Sequence, residues 1–204
     1  LRTATHAFNY RKNTADKYAK YDYRSKAQGW EDGFGRRILG ETWINHHGKH
    51  GAEGTRGLIN GILKDEKNPI LNGVVDIWGP TDVYTVRELP ANTRILVYGQ
   101  STEGLKPESG VNLNKSVMPV AWIREYRGDN GESGRVFATT MGASIDLESE
   151  DLRRLVINAA FWCVGMENKI PERADVGVIG EYKPTMFGYD LFKEGVSPAD
   201  YELR

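Results

Sequence analysis

From Ser149 to Val164 the sequence carries every mark of one amphipathic helix, and that stretch constrains the fold more than any other. Ser149 is a good N-cap, and Glu150 and Asp151 follow in the first turn, where the helix dipole favours negative charge. Leu152, Leu155, Val156, Ala159, Ala160 and Cys163 recur at three- and four-residue steps, while Arg153, Arg154 and Asn158 take other positions. The spacing predicts a helix over 150–164, closed by Gly165 and Pro171. Such a stripe must be buried against another layer.

The other layer is read from short apolar runs. Arg94-Ile95-Leu96-Val97-Tyr98, closed by Gly99, suits a buried strand. Val120-Ala121-Trp122-Ile123-Arg124 and Arg135-Val136-Phe137-Ala138-Thr139-Thr140 flank Asp129-Asn130-Gly131, which predicts two neighbouring strands joined by a hairpin. Val74 to Trp78 and Val83 to Val86 are β-prone and separated by the turn cluster Gly79-Pro80-Thr81-Asp82. Thr42-Trp43-Ile44-Asn45-His46 reads as a short strand entering the turn His47-Gly48-Lys49-His50-Gly51. Strands with one strong helix indicate an α/β domain, with residues 1–204 forming one unit and 183–204 an extended tail. One confident helix is few for a three-layer sandwich, which leads to the expectation that leading βα units precede the chain.

Charge and composition remove several function classes. Lys and Arg number 27 against 28 Asp and Glu, so nothing calls for a polyanionic partner. Five Trp, ten Tyr and six Phe among 39% hydrophobic residues can build a core, which excludes intrinsic disorder. No run reaches the roughly 18–20 apolar residues of a membrane-spanning helix. The single cysteine, Cys163, cannot form an internal disulfide and falls on the apolar stripe; both a reducing compartment and a periplasmic setting are compatible with this. Residues 9–30 combine an excess of about four positive charges with Tyr10, Tyr18, Tyr21 and Tyr23. With no second basic surface, this segment is read as a polar insertion or lid and not as a nucleic-acid site.

Chemistry is sought among polar groups at strand ends. The four histidines are His6, His46, His47 and His50. Histidine is the usual proton shuttle near neutral pH, and His6, His47 and Asp82 are the candidate catalytic residues. Arg2, Thr3, His46, His50, Trp78, Tyr84, Gly142 and Ser144 are candidate binding residues, on the expectation that strand carboxyl ends gather around a crevice in a parallel sheet. Trp43, Trp78 and Trp122 could present apolar faces to a sugar ring. The His46/His47/His50 loop lacks the helical spacing of a zinc-protease motif, so no cofactor is expected, with metal at that loop the lesser alternative. The sequence has no G-x-S-x-G elbow, Walker loop or G-x-G-x-x-G fingerprint.

Taken together, several segments resemble the trehalose-utilisation (ThuA-like) family. They are Pro119-Val120-Ala121-Trp122, Gly134 to Gly142, Leu152-Arg153-Arg154-Leu155 with Trp162 and Gly165, Asn68-Pro69-Ile70-Leu71 with Gly73, and Thr81-Asp82-Val83-Tyr84. The resemblance covers most of residues 1–180. It implies a flavodoxin-like three-layer sandwich related to class I glutamine amidotransferases, and a bacterial role in carbohydrate utilisation. It also implies that Thr3-Ala4-Thr5-His6 occupies the amidotransferase nucleophile turn, so one or two leading βα units would be missing. That turn has no cysteine, so glutamine hydrolysis is not supported. Gly142-Ala143-Ser144 stands where many members have Gly-His. The function expected is action on, or binding of, a glycoside or keto-sugar in the crevice; the alternative is a non-catalytic carbohydrate-binding domain. The partner expected is a small carbohydrate, with neither nucleic acid nor membrane, and a homo-oligomer is compatible with the sequence.

Overall fold

The computed structural model describes residues 8, 10, 15–59, 68–186 and 194–202. Five strands form one sheet: β1 (Thr55–Ile59), β2 (Ile77–Gly79), β3 (Arg94–Ser101), β4 (Met118–Arg127) and β5 (Ser133–Thr139). Their order is β2-β1-β3-β4-β5, and every pairing is antiparallel. The expected combination of sheet and helix is present. The parallel arrangement is not: among the described strands, carboxyl ends do not gather on one side, so the strand-end argument for a crevice loses its basis. Apolar runs record burial on both faces, and here an antiparallel sheet is covered on both.

Burial on both faces explains why Val120, Ala121, Trp122 and Ile123 are consecutively buried in β4. In β5 the two-residue period separates the faces: Phe137 packs with one core cluster, Val136 and Ala138 with the other. The first cluster includes Ile77, Leu96 and Val97 of the sheet together with Leu152, Leu155 and Ala159 of α1 (Glu150–Cys163). The second includes Trp122 with Ile38, Phe34 and Leu39, from a short helical turn over Gly35–Leu39 and its approach. The Trp122 indole N–H donates to Leu39 O at 2.7 Å, fastening that turn to the sheet.

The helix follows its sequence signals. Ser149 Oγ accepts from Leu152 N at 3.4 Å. At the exit, Gly165 N donates to Trp162 O and Met166 N to Phe161 O, with Gly165 at φ +75°, a Schellman closure that favours glycine. Cys163 is half-buried, and burial raises its thiol pKa, which leaves it a poor nucleophile. The polar positions are not solvated: Arg154 and Asn158 are buried as deeply as the apolar stripe. Asn158 Nδ2 donates to Ile70 O and Asn72 O, each at 3.0 Å. Arg154 donates to Asp151, Glu150 and Ala174 O. Residues 68–75 and 170–176 cover this side of the helix.

The predicted hairpin joins β4 and β5, with Gly128 N donating to Glu132 O at 2.8 Å and Gly131 at φ +83°. β1 was not anticipated. Its Gly57 has no apolar side chain to betray a strand, yet only glycine fits, since a Cβ there would lie 2.7 Å from Ile77 Cβ. The expected strand at 42–46 is reduced to one bridge, His46 opposite Tyr84.

Within the described part of the basic, tyrosine-rich segment, Lys20 and Arg24 are paired inside the molecule. Lys20 and Arg37 pair with Asp129 at 2.8 and 3.0 Å, and both lie over the Trp30 ring. Asp22 is buried and accepts from Arg24 Nε and Nη2 and from the Tyr10 and Arg24 amides. The Arg24 guanidinium, assisted by those amides, holds the Asp22 carboxyl well below its ordinary 3.8. A depressed carboxylate stabilises the fold above its unfolded pKa, and that contribution is lost as pH falls below about 4. Asp22→Asn should therefore cost about 2 kcal/mol at pH 7. Denaturant titrations should show the wild-type advantage shrinking as pH is lowered from 4 to 2; an advantage independent of pH would contradict this.

Candidate functional site

Asp82 lies just past the end of β2, and its position is set by the residue before it. Thr81 donates through its amide and hydroxyl to the buried Asp146 carboxylate, at 3.2 and 2.6–2.8 Å, while Thr55 Oγ1 of β1 donates to Thr81 O at 2.7 Å. Asp146 also accepts from the amides of Gly142 and Ala143. Asp82 is thus fixed between β1 and the segment after β5, with 3% of its surface exposed.

The histidine turn is clamped over it. The amides of His47 and Gly48 both donate to Val83 O at 2.9 Å, and Thr85 N donates to Asn45 O at 3.1 Å. Gly48 must be glycine for this approach, because a Cβ would lie 2.9 Å from Asp82 Cβ and 3.1 Å from Val83 N. Lys115 closes the far side, donating to His47 O at 3.1 Å and to Glu53 at 2.6 Å. Burial of Glu53 raises its pKa, but bonds from Lys115, the Lys49 amide and Asn112 outweigh this and leave it below the ordinary glutamate value.

Two imidazoles meet Asp82, one on each oxygen: His46 Nδ1 at 2.6 Å from Oδ2 and His50 Nδ1 at 2.9 Å from Oδ1. An ionised carboxylate can only accept, so each Nδ1 carries its proton. In the neutral imidazole this makes Nε2 the basic atom. The rings stand 4.7 Å apart by centroid. Trp43 and Tyr84 meet His46 edge to face at 5.7 and 5.5 Å, forming an aromatic border. The imidazole side chains are 38% and 33% exposed, so solutes can reach them while the carboxylate between them stays buried. A cavity of about 40 Å³ adjoins Trp43 and Tyr84 and runs toward Trp122 and Thr140; it holds a water or two but no sugar ring.

Of the residues expected from the sequence, Asp82, His46, His50 and Tyr84 come together. His47 faces elsewhere, with Nε2 at 2.8 Å from Ser116 O. Trp78 is on β2, its amide directed to Ser149 Oγ, and Ser144 is tied to Thr185 O and Tyr182 Oη. Gly142 contributes its amide to Asp146. Arg2, Thr3 and His6 lie outside the described residues. Trp43, named in sequence for its apolar face, borders the site. No motif marks Glu53 and Lys115, whose mutual partners are distant in sequence.

A family model described as ThuA, trehalose utilisation, matches residues 21–163, which contain Asp82, His46, His50, Trp43 and Tyr84. No curated protein and no solved structure matches the chain.

Proposed function

The chain belongs to the ThuA family and so has a role in trehalose utilisation; from this and the geometry around Asp82 we propose that it binds a glycoside or keto-sugar at the His46/His50 pair. The observation that carries the reading is one buried carboxylate holding two accessible imidazoles in fixed tautomers beside two aromatic rings. Sugar rings present C–H faces that pack on aromatic surfaces, and hydroxyls that bond to groups such as imidazole. His46 and His50 are the proton-transfer groups: Nε2 takes a proton from a sugar hydroxyl while Asp82 stabilises the imidazolium that results. The expected catalytic role of His47 passes to these two. The family's flavodoxin-like layering is part of the same proposal: coverage of the sheet on both faces favours it, and the antiparallel pairing of the described strands departs from it.

A thermal-shift panel of trehalose, other glycosides and keto-sugars tests it. A ligand at 100 times its Kd should stabilise the protein by about 2.7 kcal/mol. His46→Ala and Asp82→Asn should abolish that shift, and His47→Ala should keep it. A shift that survives both of the first two variants places the sugar elsewhere.

A further inference from the structure

We propose that His46, His50 and Asp82 form a binding site for one divalent transition-metal ion of the zinc class. Among the described residues these three side chains each direct a ligand atom, one ring nitrogen or one carboxylate oxygen, to within 4.8 Å of the other two. Tetrahedral zinc with bonds of about 2.0–2.1 Å places its ligands roughly 3.4 Å apart. A metal would displace the two Nδ1 protons that bridge to Asp82, leaving each ring's proton on Nε2, and the partly exposed imidazoles would rotate to adjust the spacing, whereas Asp82 is buried and stays in place. Two imidazole nitrogens and one carboxylate oxygen suit zinc or another late first-row metal better than calcium or magnesium, which prefer all-oxygen shells. Among the described residues the set supplies three protein ligands, and tetrahedral zinc takes four.

The surroundings fit a ligand set held in advance. His46 and His50 flank Gly48, whose backbone sits directly on Asp82, and the turn between them is fastened to Val83 O and Lys115. The histidine loop considered alone suggests His46, His47 and His50; the fold replaces His47, which faces Ser116 O, with Asp82. Metal binding needs no sugar and stands apart from the carbohydrate reading.

Calorimetric titration of the chelator-treated full chain with Zn²⁺ alone tests this, with the d–d spectrum of Co²⁺ as a second readout. One ion per chain and a tetrahedral cobalt spectrum are expected. His46→Ala and His50→Ala should each weaken binding by more than the roughly 10–100-fold typical of residues that only orient a ligand. His47→Ala should bind as wild type does. These histidines are outside the core, so the variants remain folded and circular dichroism should match wild type. Stoichiometric binding that survives the double variant His46→Ala/His50→Ala, equal loss in His47→Ala, or no stoichiometric binding would each overturn the proposal. In those cases a sugar-induced thermal shift would still stand by itself.

Discussion

Arg154→Ala is expected to destabilise the protein by about 3–5 kcal/mol, because it strands a buried carboxylate without its counter-charge. Arg154 is 1% exposed, and its guanidinium serves Asp151 and Glu150 on its own helix and Ala174 O on the covering segment. Asp151 is also buried and accepts from the Val75 and Asp76 amides at 2.7 Å, holding the approach to β2 against the helix. Removing Arg154 therefore loosens three segments together. Arg154→Lys should recover only part of the loss, since an ammonium cannot reproduce the planar fork. Urea unfolding of the three proteins checks this; a cost under about 1 kcal/mol for the alanine variant would show a network far weaker than its burial indicates.

Leu155→Ala should cost about 2–5 kcal/mol for a different reason. Leu155 is 1% exposed in the cluster joining α1 to the sheet, so its truncation leaves a void in that core. For a chain of this size, 3 kcal/mol corresponds to a fall of roughly 6–12 °C in Tm. Calorimetry is the check. Zinc affinity per folded chain should be unchanged, because Leu155 is not one of the metal ligands.

The elements legible in the sequence are those whose signals are local. α1 has its cap, acidic first turn, stripe and terminal glycine within seventeen residues of one another, and the β4–β5 hairpin has its turn between two apolar runs. β1 escaped because Arg56 and Gly57 interrupt any apolar pattern, and its reason for being a strand lies in Ile77 across the sheet. Strand direction escaped for a related reason. A strand buried on both faces has the same composition in either orientation, so Leu96 and Val97 could not distinguish a parallel sheet from the antiparallel one. The buried polar side of α1 was equally hidden: Arg154 and Asn158 look like solvent positions until residues 68–75 and 170–176 are laid over them.

For the site, the sequence yielded the residue types but not their partners. His46 and Asp82 are 36 positions apart, and nothing in either segment says that Val83 O will receive the amides of His47 and Gly48. The choice between His47 and His46 turns on that clamp, which sends one imidazole to Ser116 O and its neighbour to the carboxylate.

One buried carboxylate gathers His46 and His50 into the place where we propose that a sugar binds. Side-chain nitrogen NMR of the four histidines during titration with the glycoside or keto-sugar that gives the largest thermal shift tests it most directly. The His46 and His50 imidazole resonances should move together and saturate at one Kd, while His47 is unmoved. Resonances of His46 and His50 that stay fixed while the ligand saturates the protein would contradict it.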